Sequence, residues 1–367
     1  MERFDVAVVG AGPAGSVAAR VAAREGARTV LFDRREELGY PVQCGEFLPT
    51  PRELVDLFPD SADVARESYW IPTETVLRET DTMVCIAPSG RRYTFPLDGL
   101  CVARRAFDKA LALRAEGMGA ELRFPVGVVR VREDRLFLSD HTEIQARAII
   151  GADGPLSTVA RGVGFRVEHE MYRMVTGVAA GDFPSEIDLY FGRVAPGGYA
   201  WVFPKHEGAN VGLGVAAIPR GRSLSALLAR FAESRHLGAL DGLVRWWVPI
   251  GPPPESAVRG RALFCGDSAN LVMATNGGGI PTAMISGRDA GYAAANHVRE
   301  GTPLALYDEL WRRHLFTPLR RAHRVKRLGD QFARGDRWLS LGMRSIGATG
   351  LDEMMRLRWP AWIGGSS

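Results

Sequence analysis

An apolar run from Phe4 to Val9 ends in Gly10-Ala11-Gly12-Pro13-Ala14-Gly15, and a second apolar run ends in an acid, Asp33, 23 residues after Gly10. No other stretch restricts the fold as strongly. A continuous apolar strand, three glycines at this spacing, a small-residue helix and a carboxylate after the next strand make up the pattern of a βαβ dinucleotide-binding unit. Gly10 makes the tight turn, Gly12 lets the backbone approach a pyrophosphate, and Gly15 lets helix and strand pack closely. Pro13 and Ala14 open a helix whose N-terminus faces the phosphates. Asp33 is placed to accept hydrogen bonds from an adenosine ribose, with Arg34 beside it.

The rest of the chain is long enough to surround such a unit. Its 367 residues, 46% of them hydrophobic, suffice for two domains or one large discontinuous one. Apolar stretches fall short of a spanning helix, and the N-terminus reads as a buried strand rather than a signal sequence, so a cytoplasmic location is expected. Cys44, Cys85, Cys101 and Cys265 are widely separated without CxxC spacing, which argues against an iron-sulfur cluster, a zinc site or a disulfide framework; no metal is expected. Residues 301–367 carry 12 Arg or Lys against six Asp or Glu. There Trp311, Leu315, Phe316 and Leu319 lie at helical spacing beside Arg312, Arg313, Arg320 and Arg321. Such a face suits either peripheral contact with anionic lipid on the inner side of the cell membrane or packing on the protein's own body, the commoner use of an amphipathic helix; no motif points to nucleic acid.

The order of elements predicts an α/β protein: a Rossmann-type nucleotide domain interrupted by an antiparallel β-sheet domain, with a C-terminal helical region. The expected boundaries are 1–68, 98–168 and 255–300 for the nucleotide domain, 69–97 and 169–254 for the β-rich domain, and 301–367 for the helices. Tyr69 to Pro96 reads as strand with a turn at Pro88 to Gly90, and a helix is expected from Arg104 to Gly117. Gly212-Leu213-Gly214 is not a second fingerprint, because Ile218-Pro219 ends the segment where a phosphate-binding helix would begin.

Three further segments favour FAD as the dinucleotide. These are Arg104-x-x-Phe107-Asp108 at a helix start, Gly151-Ala152-Asp153-Gly154 after a strand, and Cys265-Gly266-Asp267-Ser268 after a late strand. Together they resemble the glutathione-reductase-type flavoproteins of the aromatic hydroxylase branch. The resemblance implies that Asp267 binds the ribityl chain, that Arg104 reaches the pyrophosphate region, and that Asp153 and Gly154 support the cofactor cleft. Gly277-Gly278-Gly279-Ile280-Pro281 offers backbone N–H groups and a helix N-terminus to a flat ring, where it would stabilise charge on a reduced flavin. Tyr40-Pro41-Val42-Gln43-Cys44-Gly45-Glu46, Tyr199-x-Trp201-x-Phe203-Pro204 and the Asn276 to Pro281 turn then resemble three motifs of the geranylgeranyl reductase family, in that family's order. Ser268-Ala269-Asn270 departs from the Ala-Ala-Gly of that pattern. The resemblance implies FAD-dependent saturation of carbon-carbon double bonds in polyprenyl chains, as in archaeal-type membrane phospholipids, with electrons from ferredoxin, a deazaflavin or NADPH.

An isolated alkene has no carbonyl to polarise it, so hydride transfer must be matched by a proton delivered to the other carbon beside a dry, apolar slot. Cys44 is the first candidate donor, because a thiol in apolar surroundings stays protonated; Glu46 is the second and needs a pKa raised by burial. Tyr199, Trp201 and Phe203 alternate on one strand and share a face that suits a prenyl slot. A flavin-dependent aromatic monooxygenase or halogenase is the rival enzyme reading, and an electron-carrying or lipid-binding flavoprotein the non-catalytic one.

Overall fold

The apolar run at the N-terminus is covered on both faces. In the computed structural model, which describes residues 1–168, 170–332 and 335–358, Val6, Ala7 and Val8 are wholly inaccessible to solvent. A strand buried this way sits between parallel neighbours with helices on either side.

From there the chain alternates between two sheets. β1 (Glu2–Val9), α1 (Pro13–Arg24) and β2 (Thr29–Phe32) begin the first sheet. β3 (Phe47–Pro49) crosses to the second, and after α2 (Pro51–Leu57) and α3 (Ala62–Ser68) it is joined there by β4 (Val76–Ile86) and β5 (Arg92–Val102). α4 (Arg104–Glu116) leads back to the first sheet, which gains β6 (Glu121–Arg123), β7 (Val128–Arg132), β8 (Arg135–Leu138) and β9 (Glu143–Gly151) before α5 (Thr158–Val163). β10 (Met171–Ala179), β11 (Glu186–Phe191), β12 (Tyr199–Lys205), β13 (Gly208–Val215), α6 (Leu224–Ser234) and β14 (Leu240–Pro249) complete the second. β15 (Val258–Arg259) and β16 (Ala262–Phe264) return once more, and α7 (Ile280–Glu300), α8 (Leu306–Trp311), α9 (Thr317–Phe332) and α10 (Asp336–Met355) follow.

The first sheet runs β15-β16-β9-β1-β2-β6, with β1 parallel to both β2 and β9. The second runs β14-β10-β13-β12-β11-β4-β5-β3 and is antiparallel except where β11 lies parallel to β4. The α/β architecture expected from the sequence is therefore present. Local boundaries differ. β5 carries the second sheet to Val102, past the boundary expected at 97, and β3 joins that sheet from within the stretch assigned to the nucleotide domain. Tyr69 to Thr75 is not strand but ends in a 3₁₀ turn at Thr73–Thr75. Three residues are too few to show a period of two, so β3 has no sequence signature.

One helix contact sets the geometry of the site. A Cβ at Gly287 of α7 would lie 2.2 Å from the Ala14 carbonyl oxygen, and one at Gly291 would lie 2.3 Å from that of Ala18. α1 and α7 thus cross backbone to backbone, which brings both helix N-termini to one place.

The C-terminal stripe takes the protein-facing one of its two readings. Trp311, Leu315 and Leu319 are 0%, 0% and 1% exposed and belong to the core beside the first sheet, so this face rests on the protein's own body and not on lipid. The segment is pinned by His314, whose Nδ1 lies 2.7 Å from Asp289 Oδ2 and whose carbonyl accepts from Ser61 Oγ at 2.6 Å. Arg312, Arg313 and Arg320 remain exposed. Among the described residues no helix is long and apolar enough to cross a membrane.

Candidate active site between the two sheets

A cavity of about 610 Å³ lies where the two sheets meet, within the ~300–1,000 Å³ range of small-molecule sites. Gly10, Gly12, Pro13 and Ala14 border it from the first sheet, and Tyr199, Trp201 and Phe203 from the second. The loop holding Cys44, Gly45 and Glu46 reaches it, as do Arg34 and Arg104. Asp153 with Gly154, Asp267, and Gly277 to Ile280 close the remaining side.

Three expected residues stand behind the lining. Gly15 packs against the turn, where a Cβ would fall 1.9 Å from the Gly10 carbonyl oxygen. Gly266 (φ +61) sits under Ala14 and Ala283. Pro204 is a correction: strand alternation turns it away from Trp201 and Phe203, so it contributes no surface to the slot.

The nucleotide side has the features of a cradle. Among the described residues, and apart from its chain neighbours, a Cβ on Gly12 or on Gly154 would meet no atom within 4 Å, so a side chain at either would project into free space beside the cavity. Gly10 takes φ +101, open to glycine alone at little cost. Asp33 is 5% exposed and fastens the turn itself: its carboxylate accepts from Ala11 N and Arg35 N, each at 2.9 Å. Asp153 accepts from Thr158 N at 2.6 Å and Val159 N at 3.2 Å through Oδ2, while its buried Oδ1 has no partner among the described residues. Burial pushes the Asp153 carboxyl above its ordinary range despite those bonds. Burial likewise pushes Asp267 to about 6, with Arg104 opposing the shift. An orphaned carboxylate oxygen and a second, poorly solvated carboxylate suit a ligand rich in hydroxyl groups and N–H donors, and the residues present therefore fit a flavin dinucleotide.

Two expected ligands have other partners. Arg104 makes a fork with Asp108, at 2.9 and 2.8 Å from Nη2 to the two carboxylate oxygens, and borders the cavity in which the resemblance has it reach the pyrophosphate region. Glu46 was a candidate neutral acid, but both of its oxygens accept. Oε1 takes Arg104 N at 3.2 Å, and Oε2 takes Asn210 Nδ2 at 2.9 Å and the Lys205 ammonium. Both oxygens of Glu46 are therefore already engaged by donors of the protein itself. Its backbone is also left-handed, φ +67, a conformation that costs a side-chain-bearing residue about 1 kcal/mol and persists where surroundings enforce it.

What enforces it is Asn210, which the sequence reading missed. This residue of β13 is 2% exposed. Its Nδ2 donates to the Cys44 carbonyl at 3.1 Å as well as to Glu46, and its Oδ1 accepts from Trp201 Nε1 at 2.8 Å and Thr176 Oγ1 at 2.6 Å. A polar residue within the fully buried run of β13 was the signal available.

Cys44 is thereby held at the cavity, its Sγ accepting from Glu46 N at 3.1 Å. Burial pushes the thiol up, with Arg104 pulling the other way. Gly45 lies flat on the aromatic strand, where a Cβ would come 2.8 Å from the Phe203 ring. Trp201 and Phe203 stack with centroids 5.9 Å apart, and Trp246 meets Trp201 edge-on at 6.3 Å. The Tyr199 hydroxyl donates to the Asn276 carbonyl, tying the aromatic strand to the glycine turn. Beyond that turn Ile280 begins α7, so the first N–H groups of a 21-residue helix lie at the cavity. Asn270, at the departure from the family pattern, occupies φ +55, which asparagine tolerates better than most residues in place of glycine; its Nδ2 donates to the Glu168 carbonyl at 2.8 Å.

The chain is similar to known proteins in sequence and fold. The family model for the geranylgeranyl reductase catalytic domain matches residues 170–241, and that for FAD-dependent oxidoreductases matches residues 5–39. The chain is 34% identical over 342 residues to digeranylgeranylglycerophospholipid reductase 1 of Methanopyrus kandleri, covering 84% of this chain and 86% of the relative. It is 33% identical over 324 residues to the digeranylgeranylglycerophospholipid reductase of Methanocaldococcus jannaschii, covering 81% and 78%. Among solved structures, a geranylgeranyl bacteriochlorophyll reductase-like protein of Thermoplasma acidophilum superposes with a TM-score of 0.82 at 26% identity, over 98% of this chain and 94% of the other. A flavin-dependent brominase (TM-score 0.70, 16% identity, 97% of this chain and 93% of the other) shares the fold alone.

Proposed function

This chain belongs to the geranylgeranyl reductase family of FAD-dependent oxidoreductases, and from that premise we propose that it saturates the isoprenoid chains of a digeranylgeranylglycerophospholipid-type lipid. Flavin, when held there, would supply the hydride chemistry for one alkene carbon. The chain's own residues do the rest.

Gly10, Gly12 and the N-terminus of α1 hold the pyrophosphate. Asp267 and the Oδ1 of Asp153, which has no partner among the described residues, receive hydroxyl or N–H groups of the cofactor. Gly277, Gly278 and Gly279 let backbone come close to the ring, while the N-terminus of α7 stabilises negative charge there. Tyr199, Trp201 and Phe203 form a dry wall along which a prenyl chain lies, excluding water from the alkene. Cys44 holds a proton at Sγ, kept there by burial, and gives it to the alkene carbon that does not receive hydride. Glu46, Lys205 and Asn210 position that thiol without donating to the substrate. The electron donor is an external one, a ferredoxin, a deazaflavin or NADPH.

The observation that carries the reading is the placement of Cys44 between a dinucleotide cradle and an aromatic wall in one cavity. Dithionite-reduced, flavin-loaded protein incubated with a digeranylgeranyl phospholipid should yield products heavier by successive pairs of hydrogens in mass spectra. Unchanged lipid masses with phospholipid, quinone and pyrophosphate substrates alike would defeat it.

A further inference from the structure

α10 has two halves with different neighbours. Its helical conformation breaks at Gly347 (φ 65, ψ −169). Beyond the break, Leu351 and Met355 pack into the apolar cluster of the second sheet, and Met355 borders the cavity. Before the break the inner face, Leu339, Met343 and Ile346, joins the same cluster. The outer face is uncovered: Trp338 is 64% exposed and Leu341 52% exposed, one turn apart. Phe332, 41% exposed, adds its ring across Gly342, where a Cβ would meet it at 3.3 Å.

The surroundings of this apolar face are cationic. Arg337 and Arg344 flank it on the helix and are exposed. The β4–β5 turn lies alongside, through Ser89 N donating to Ser340 Oγ at 3.2 Å, and brings exposed Arg91. The sole acid in 336–346 is Asp336, which is paired with Arg193 at 2.5 Å. An exposed indole and a leucine side chain beside guanidinium groups that have no ion-pair partner among the described residues complement an anionic lipid surface, where tryptophan sits at headgroup level and arginine reaches phosphate.

We infer that the outer face of residues 336–346, together with Phe332, docks on an anionic lipid bilayer and so holds the wall of the slot against the membrane that contains its substrate. This rests on the proposed function for the nature of the substrate, but not for its test. Binding needs no cofactor turnover: α10 joins an interfacial foot to a slot-lining end in one element.

The test is flotation of the flavin-loaded full chain with vesicles of phosphatidylcholine alone or with phosphatidylglycerol added. The protein should float with the anionic vesicles only, and release between about 0.1 M and about 1 M salt, over which the screening length falls from ~10 Å to ~3 Å. Trp338→Ser with Leu341→Ser, and separately Arg337→Glu with Arg344→Glu, should each weaken binding roughly tenfold or more while detergent-dispersed substrate is reduced within about twofold of wild type. Flotation unaffected by both double variants, or no flotation at all, overturns the inference. So does a dimer in solution that the Trp338→Ser, Leu341→Ser protein loses, which would assign the face to a second copy. Reduction of dispersed lipid without flotation defeats this inference alone, whereas flotation without reduction of any prenyl chain supports it and counts against the proposed function.

Discussion

The side-chain amide of Asn210 donates to the carbonyl oxygen of Cys44 at 3.1 Å, joining residues 166 positions apart in the chain. The same amide nitrogen serves Glu46 at 2.9 Å, and the amide oxygen serves Trp201 at 2.8 Å. One buried amide therefore sets the distance between the thiol loop and the aromatic wall. Neither loop nor strand can shift without stranding a polar group away from water, at ~1–3 kcal/mol for each one left unpaired.

Asn210→Asp should expose this dependence. The replacement keeps the acceptor for Trp201 and Thr176 but loses the donor to Cys44, and it places a carboxylate against Glu46. Burial and repulsion weaken the new acid in the folded state, so the penalty is present at neutral pH and fades as pH falls and the acid is protonated. We expect a loss of about 3 kcal/mol in urea unfolding near neutral pH, shrinking by more than half near pH 5. An equal loss at both pH values would show that the charge beside Glu46 does not matter.

Cys44→Ala should retain flavin yet lose turnover by ~10²–10⁴-fold, the span of a general-acid contribution. Because burial raises the thiol's pKa, its proton stays in place above the value near 8.5 at which a free cysteine ionises. Turnover in wild type should accordingly persist past that pH. Alkylation of Cys44 by iodoacetamide, followed by peptide mass mapping, should be slow there for the same reason. Fast alkylation at neutral pH would reveal a thiolate and remove the thiol as proton source.

Asp267 makes the flavin-free protein sensitive to pH. Its folded-state pKa, about 6, lies above the ordinary carboxylate value of 3.8. Between those values the folded state holds a proton that the unfolded chain has released, so stability falls as pH rises through that window and stays low above it. The deficit is at most about 3 kcal/mol and less where water reaches the half-buried group. Asp267→Asn should raise the melting temperature of flavin-free protein at pH 7.5 but not at pH 4, and should weaken flavin binding at both. A melting temperature unchanged at pH 7.5 would mean the carboxylate is solvated after all.

Local pattern carried much of this molecule. β1, α1 and β2 were legible because an apolar run, a glycine turn and a small-residue helix all express short-range constraints, and the aromatic alternation at Tyr199, Trp201 and Phe203 gave one face of β12 correctly. Partners distant in sequence were not legible. Glu46 looks like a candidate acid until Lys205 and Asn210 are brought against it, and the fork between Arg104 and Asp108 was not read from the sequence although the two lie only one helical turn apart. The stripe at Trp311, Leu315 and Leu319 revealed that one helical face must be covered; helical periodicity says nothing of whether protein or lipid covers it. The uncovered face lies farther on, around Trp338, where exposed arginines interrupt the apolar pattern.

The crossing of α1 and α7 is the last such long-range relationship, and it can be tested at a single atom. A methyl group at Gly287 would lie 2.2 Å from the Ala14 carbonyl oxygen, which is backbone and cannot rotate away. Gly287→Ala must therefore push the two helices apart, at about 2–3 kcal/mol for overpacking in a rigid core. Separation moves the N-terminus of α7 away from the glycine turn of α1, so flavin affinity should fall by about tenfold, near 1.4 kcal/mol, although no residue bordering the cavity has changed. Gly117→Ala provides the comparison: that residue is already right-handed (φ −61) with 3.5 Å of clearance, so alanine fits and should stabilise slightly. Titration of flavin into both variants, followed by tryptophan fluorescence, measures the difference. Equal affinities would mean that helix spacing does not control the site.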